Sequence, residues 1–119
     1  MPLRIAAIGV GHWHSLYDAA YLKSVVRMHE VRLVAIQDPD PAIVERRAAE
    51  LGSAATFTDY ADMLEKTRPD FVIVLGRHSD MARTAHHLLD EGYPFLIEKP
   101  AGIDAAEVRG IAEKAAAKR

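Results

Sequence analysis

The chain has 119 residues, half of them apolar and 27% charged, which suits one compact domain with its own core and is too short for two. Fifteen Lys plus Arg against 17 Asp plus Glu leave a formal net charge of −2, excluding a strongly basic nucleic-acid binder and an acidic disordered tail. With no cysteine there are no disulfides, thiolate zinc sites, iron–sulfur clusters or cysteine nucleophiles, and no apolar run approaches the ~20 residues that cross a bilayer. Met1-Pro2 leads straight into Leu3-Arg4-Ile5-Ala6-Ala7-Ile8 without the parts of a secretory signal, so a cytoplasmic chain is expected.

Short apolar runs alternate with helical spacing. Arg4–Ile8 reads as a strand covered on both faces. Trp13, Leu16, Tyr17, Ala20, Tyr21, Val25 and Met28 then recur at three- and four-residue intervals, one stripe of a helix. Val31–Gln37 is the second strand. Asp40-Pro41 opens the second helix as N-cap and first helical residue, and Gly52 after Leu51 should close it with a left-handed cap. A weak strand near Ala55–Phe57 and a short helix over about Asp59–Lys66 follow. Phe71–Leu75 is the fourth strand. A helix from Ser79-Asp80 presents Met81, Ala85, Leu88 and Leu89 and stops at Gly92. Phe95–Ile97 is the fifth strand. The last helix has Asp104 and Glu107 in capping-box spacing and should bury Val108, Ile111, Ala112 and Ala115.

This β-α alternation with short links predicts an α/β fold, a doubly wound parallel sheet with helices on both faces in three layers. Two strand orders are common for such sheets, and chain order leaves both open.

The first strand runs into Gly9-Val10-Gly11-His12-Trp13-His14, the first two glycines of a dinucleotide fingerprint with His14 where the third would stand. Gly9 would make the tight turn, and Gly11 would let a pyrophosphate approach the backbone, where amides and the helix dipole attract it. The plain alternative is an ordinary strand–helix turn. Asp38, after the second strand, is placed to accept hydrogen bonds from the adenosine ribose and to repel a 2′-phosphate. Pro39-Asp40-Pro41 follows with no basic residue at once, so NAD is favoured over NADP; Arg46 and Arg47 read as a solvated helix face. Glu98-Lys99-Pro100 ends the fifth strand on the side where open α/β sheets bind ligands. Lys99 could hydrogen-bond a substrate hydroxyl or move a proton, though these three residues alone also fit a solvated pair.

Gly9-x-Gly11, Asp38, Thr58-Asp59-Tyr60 and Glu98-Lys99-Pro100, in this order and across essentially the whole chain, resemble the Gfo/Idh/MocA oxidoreductase family. The resemblance implies a Rossmann domain with strand order 3-2-1-4-5 that binds NAD(P). It implies hydride transfer between nicotinamide and a hydroxyl carbon of a sugar, inositol or related polyol. It puts Lys99 on the reacting hydroxyl, as the catalytic residue, with Glu98 near the cofactor and a cis Lys99–Pro100 bond. Where the family has Thr-Pro-Asn-x-x-His, this chain has Leu75-Gly76-Arg77-His78-Ser79-Asp80, so Arg77 and Asp80 replace the Asn and His. Gly76, Arg77 and His78 remain cofactor candidates at a ligand-facing strand end. The cofactor set is therefore Gly9, Val10, Gly11, His12, Trp13, Asp38, Gly76, Arg77, His78, Glu98, Lys99 and Pro100.

Family chains continue into a second domain that supplies substrate and oligomer contacts, and this one stops at Arg119. The expectation is a fragment of a longer enzyme, one wall of a cleft, with little turnover alone. The alternative is a free-standing, non-catalytic NAD(P) sensor or interaction module. A receiver or flavin domain is disfavoured, because Ile8-Gly9 stands where a receiver needs acids. The six histidines suggest no metal site: His12 and His14 point apart, and His86 and His87 lie about 100° apart on a helix. His29 sits near a helix end, where a cationic ring suits the dipole.

Overall fold

The computed structural model describes residues 1–12, 21–52 and 54–118. Along them run β1 (Leu3–Ile8), α1 (Tyr21–Val25), β2 (Val31–Gln37), α2 (Pro41–Leu51), β3 (Ala55–Phe57), α3 (Tyr60–Thr67), β4 (Phe71–Val74), α4 (His78–Glu91), β5 (Phe95–Ile97) and α5 (Ala105–Ala117). The strands pair in parallel in the order β3-β2-β1-β4-β5, a Rossmann-like doubly wound sheet.

Strand periodicity sorts the core into two layers. Ile5 and Ala7 of β1 face one way and meet Leu22, Val25, Val44 and Leu51 of α1 and α2. Ala6 and Ile8 face the other way and meet Met63, Leu64, Met81 and Leu88 of α3 and α4. The β1–β2 register slips by one residue after Ile5, and beyond the slip Gln37 stands opposite Ile8. That slip brings the end of β2 beside the turn that leaves β1.

The helix starts follow their caps. Asp40 accepts from the Ala42 amide, Asp59 from Ala61 and Asp104 from Glu107, each satisfying a donor the first turn cannot pair. Glu107 reaches back to the Ile103 amide, one residue before the usual capping-box partner. Helix α4 begins one residue ahead of the expected Ser79 and ends at Gly92 in the left-handed region. Gly52 differs from expectation: its φ of +102° and ψ of −111° lie outside that region.

Two expected helix faces need correction. Met28 is exposed, because α1 ends at Val25 and the chain then closes turns from Arg27 to Ser24 and from Met28 to Val25. Trp13, His14, Leu16, Tyr17 and Ala20 lie outside the described residues. On α5 Ile111 is buried, but Val108, Ala112 and Ala115 are exposed. This helix leans on α4, where Lys114 meets Asp90 at 2.6 Å, and the rest of its apolar stripe stays exposed. The Lys114 hydrogen bond holds the Asp90 carboxyl below the ordinary carboxylate range. Leu96 of β5 is also exposed: among the described residues the core cluster that holds its neighbour Ile73 includes no residue of β5. Among the described residues, no helix is long and apolar enough to cross a membrane.

Candidate functional site

Crossovers from β1 run to one side of the sheet, toward β2 and β3, and from β4 to the other, toward β5. The loops leaving the carboxyl ends of β1 and β4 therefore diverge and open a crevice, the position where open α/β sheets take ligands. A cleft of about 790 Å³ lies there, within the range of small-molecule sites. Gly9, Gly11, His12, Asp38, Gly76 and Arg77 are among the residues lining it.

The two loops touch through glycine. Gly9 has φ +78°, and a Cβ built on it would lie 2.6 Å from the Gly76 backbone nitrogen. Any side chain there would collide with main chain, which cannot swing aside. Gly76 thus belongs to the turn geometry, with Gly9 as its counterpart.

The amides of the first turn are already directed. Gly9 N–H donates to the Gln37 carbonyl (2.9 Å) and to its side-chain oxygen (3.1 Å), and Val10 N–H donates to the same carbonyl (3.0 Å). The Gln37 side-chain amide continues to the Thr58 carbonyl at 2.9 Å, tying β1, β2 and the end of β3 together. Gly11 N–H donates to Asp38 Oδ1 at 2.8 Å. The Gly9, Val10 and Gly11 amides therefore hold the turn against β2, and the His12 amide turns back onto the Gly9 carbonyl at 3.2 Å.

This gives Gly11 a reason beyond ligand approach. A Cβ on Gly11 would stand 2.5 Å from Asp38 Oδ1, so glycine there makes room for the carboxylate itself. Asp38 is buried, and its Oδ2 accepts from the Asp40 amide at 3.1 Å. Each oxygen of a carboxylate offers about two acceptor positions, so among the described residues one on each is left uncommitted.

The other candidates divide. Val10 is fully buried behind the turn. Arg77 is exposed at the mouth of the cleft, and His78 opens α4 with its ring centroid 6.3 Å from that of His12. Glu98, Lys99 and Pro100 follow β5 on the same carboxyl edge of the sheet but do not line the cleft. The Glu98 amide pairs with the Val74 carbonyl, its carboxylate accepts from the Lys99 amide at 3.1 Å, and the Lys99–Pro100 peptide is cis. Lys99 is exposed. Asp80 pairs with Arg83 at 3.0 Å on the rim. Trp13 lies outside the described residues. Among those described, no three His, Cys, Asp or Glu residues are grouped to hold a metal ion.

Arg47 departs from its expected place on a solvated face. It is buried, with its Nε donating to the Val10 carbonyl at 3.1 Å and its Nη1 paired with Glu50 at 3.2 Å. Arg46 is exposed as expected. Spacing carried the signal, since Val44, Arg47, Ala48 and Leu51 share one face of α2.

Comparison with known proteins agrees with this fold. The family model GFO_IDH_MocA, described as an oxidoreductase family with an NAD-binding Rossmann fold, matches residues 3–119. No curated protein gives a significant match. Among solved structures, myo-inositol 2-dehydrogenase from Lactobacillus plantarum is 27% identical with a TM-score of 0.85, covering 99% of this chain and 34% of that one. A Gfo/Idh/MocA family oxidoreductase from Vibrio cholerae is 28% identical with a TM-score of 0.85, covering 98% of this chain and 36% of that one. Scyllo-inositol dehydrogenase from Lactobacillus casei, solved with NAD(H) and scyllo-inositol, is 20% identical with a TM-score of 0.84 and shares the fold, covering 99% of this chain and 34% of that one. The chain spans about a third of the length of these structures.

Proposed function

The chain belongs to the Gfo/Idh/MocA oxidoreductase family as an NAD-binding Rossmann domain, and we propose that it holds NAD in the cleft between the β1 and β4 loops for hydride transfer to or from a hydroxyl carbon of a sugar, inositol or related polyol. The observation that carries this reading is the Asp38 carboxylate, anchored on the Gly11 amide at 2.8 Å with acceptor capacity left toward the cleft. Those acceptors suit the two hydroxyls of an adenosine ribose and repel a 2′-phosphate, so NAD is preferred to NADP. The diphosphate then crosses the turn beside His12, and the nicotinamide end extends past Gly76 and Arg77. Nicotinamide supplies the hydride acceptor or donor. Lys99, at the carboxyl end of β5, hydrogen-bonds the reacting hydroxyl and moves its proton.

Residues 1–119 form the cofactor half of the reaction site in this reading. The other wall, which orients the polyol, excludes water and carries oligomer contacts, is supplied from outside them. Calorimetric titration of the chain tests the reading: NADH is expected to bind in the micromolar range or more weakly, and NADPH more weakly still. Equal affinity for both, or none for either, contradicts it. In the whole oxidoreductase, Lys99→Ala is expected to lower kcat by about 100-fold, the order of a lost acid–base group, while leaving NADH affinity unchanged. Unchanged turnover would remove Lys99 from the chemistry and favour a non-catalytic module.

A further inference from the structure

A planar trans peptide points its C=O and its N–H in opposite directions. Of the peptide joining Val10 to Gly11, the carbonyl accepts from Arg47 Nε at 3.1 Å and the N–H donates to Asp38 Oδ1 at 2.8 Å. One peptide plane is thus gripped at both ends by buried ionic side chains, a cation from α2 and an anion from the end of β2. We propose that Arg47 is a positioning residue for dinucleotide binding, setting the rotation of the Val10–Gly11 peptide so that the Val10 carbonyl is held away from the diphosphate. The proposal rests on the cofactor reading above and deepens it.

The need for such a grip follows from Gly11. Its φ lies outside the left-handed region in this structure, but glycine enters that region at little cost, so the peptide can flip about its ends. A flipped plane would turn the Val10 carbonyl onto the Asp38 carboxylate and the cleft. There it would meet two anionic partners, the carboxylate and the diphosphate. Residue type alone cannot prevent this at a glycine, whereas a charge-assisted hydrogen bond on the carbonyl can. The arrangement also accounts for burying a guanidinium on α2. Its desolvation is offset by the Val10 carbonyl on one side and by Glu50, one turn along the helix, on the other.

Arg47→Met and Arg47→Lys, each in the complete chain, test the proposal with two ligands. ADP-ribose spans the diphosphate turn, and adenosine reaches only the Asp38 side. Arg47→Met is expected to weaken ADP-ribose by about tenfold, the order of one charge-assisted hydrogen bond, with adenosine changed by less than about twofold. In the ligand-free protein the Gly11 amide should exchange faster with solvent. Arg47→Lys keeps a cation but not the fork and should fall between; it alone decides the ratio if Arg47→Met does not fold. A purely structural role would weaken both ligands alike, and that result, or an unchanged ADP-ribose affinity, overturns the proposal. If the unsubstituted chain binds neither ligand, the cofactor reading fails and takes the binding role of Arg47 with it. Gly11 exchange still reports the grip in that case, so the two failures are told apart.

Discussion

Replacing Gly9 with alanine is expected to lower the stability of the domain by about 3 kcal/mol and to abolish measurable NADH binding. Two costs combine. The residue has φ +78°, where a side chain is strained, and the new methyl would be driven into the Gly76 backbone. Relief requires the β1 and β4 loops to separate. Separation breaks the bond from the Leu75 amide to the Ile8 carbonyl, or the pair that ties Gly9 and Val10 to Gln37. Against a total stability of about 5–15 kcal/mol the loss is large, and urea unfolding measures it directly. A change below about 0.5 kcal/mol, the level of an ordinary surface substitution, would mean that the close approach of the two loops is not a feature of the folded chain.

Asp38→Ala is the second large effect, and it acts on selectivity as well as affinity. Removing the carboxylate deletes two ligand-facing acceptors and leaves the Gly11 and Asp40 amides without their partner. Charge-assisted hydrogen bonds contribute about 1.5–3 kcal/mol each, so NADH affinity is expected to fall by at least about 100-fold. NADPH affinity should hold or rise, because the negative charge that opposes a 2′-phosphate is gone. The preference for NADH over NADPH therefore collapses. Stability falls too, by about 1–2 kcal/mol, as two backbone donors near the surface lose a buried acceptor. Paired titrations of variant and parent check the selectivity. If both keep the same NADH-to-NADPH ratio, Asp38 is a structural brace of the turn and not a reader of the ribose.

Much of the architecture was legible because its signals are local. Val31–Gln37 and Phe71–Val74 are apolar on every residue or nearly so, as strands covered on both faces must be, and the Asp40-Pro41 and Asp59 caps set where α2 and α3 begin. The placement of Gly9, Gly11 and Asp38 around one cleft was legible for the same reason, since each sits at a strand end that the alternation defines.

The rest depends on what packs against what. Val108, Ala112 and Ala115 have the period of a buried stripe, but period says only that a helix is two-faced. Burial needs a neighbour on the right side, and α5 packs on α4 with Ile111 buried and these three left exposed. Gly11 looked like a position kept small for a ligand. The structure fills that space with the Asp38 carboxylate, a tertiary contact that residue type does not reveal. Arg47 carries two opposed signals: its charge suggests solvent, while its place in the Val44–Leu51 stripe points inward. In that conflict the stripe decided, since the Val10 carbonyl waits at its end as a partner for the guanidinium.

The most direct test of the central claim is a crystal structure of the chain grown with NADH. The account predicts the adenosine ribose hydroxyls on the Asp38 carboxylate and the diphosphate over the His12 end of the turn, with the Val10–Gly11 peptide unflipped. Dinucleotide bound away from the β1 and β4 loops, or the ribose turned from Asp38 with the carboxylate still on Gly11, would contradict it.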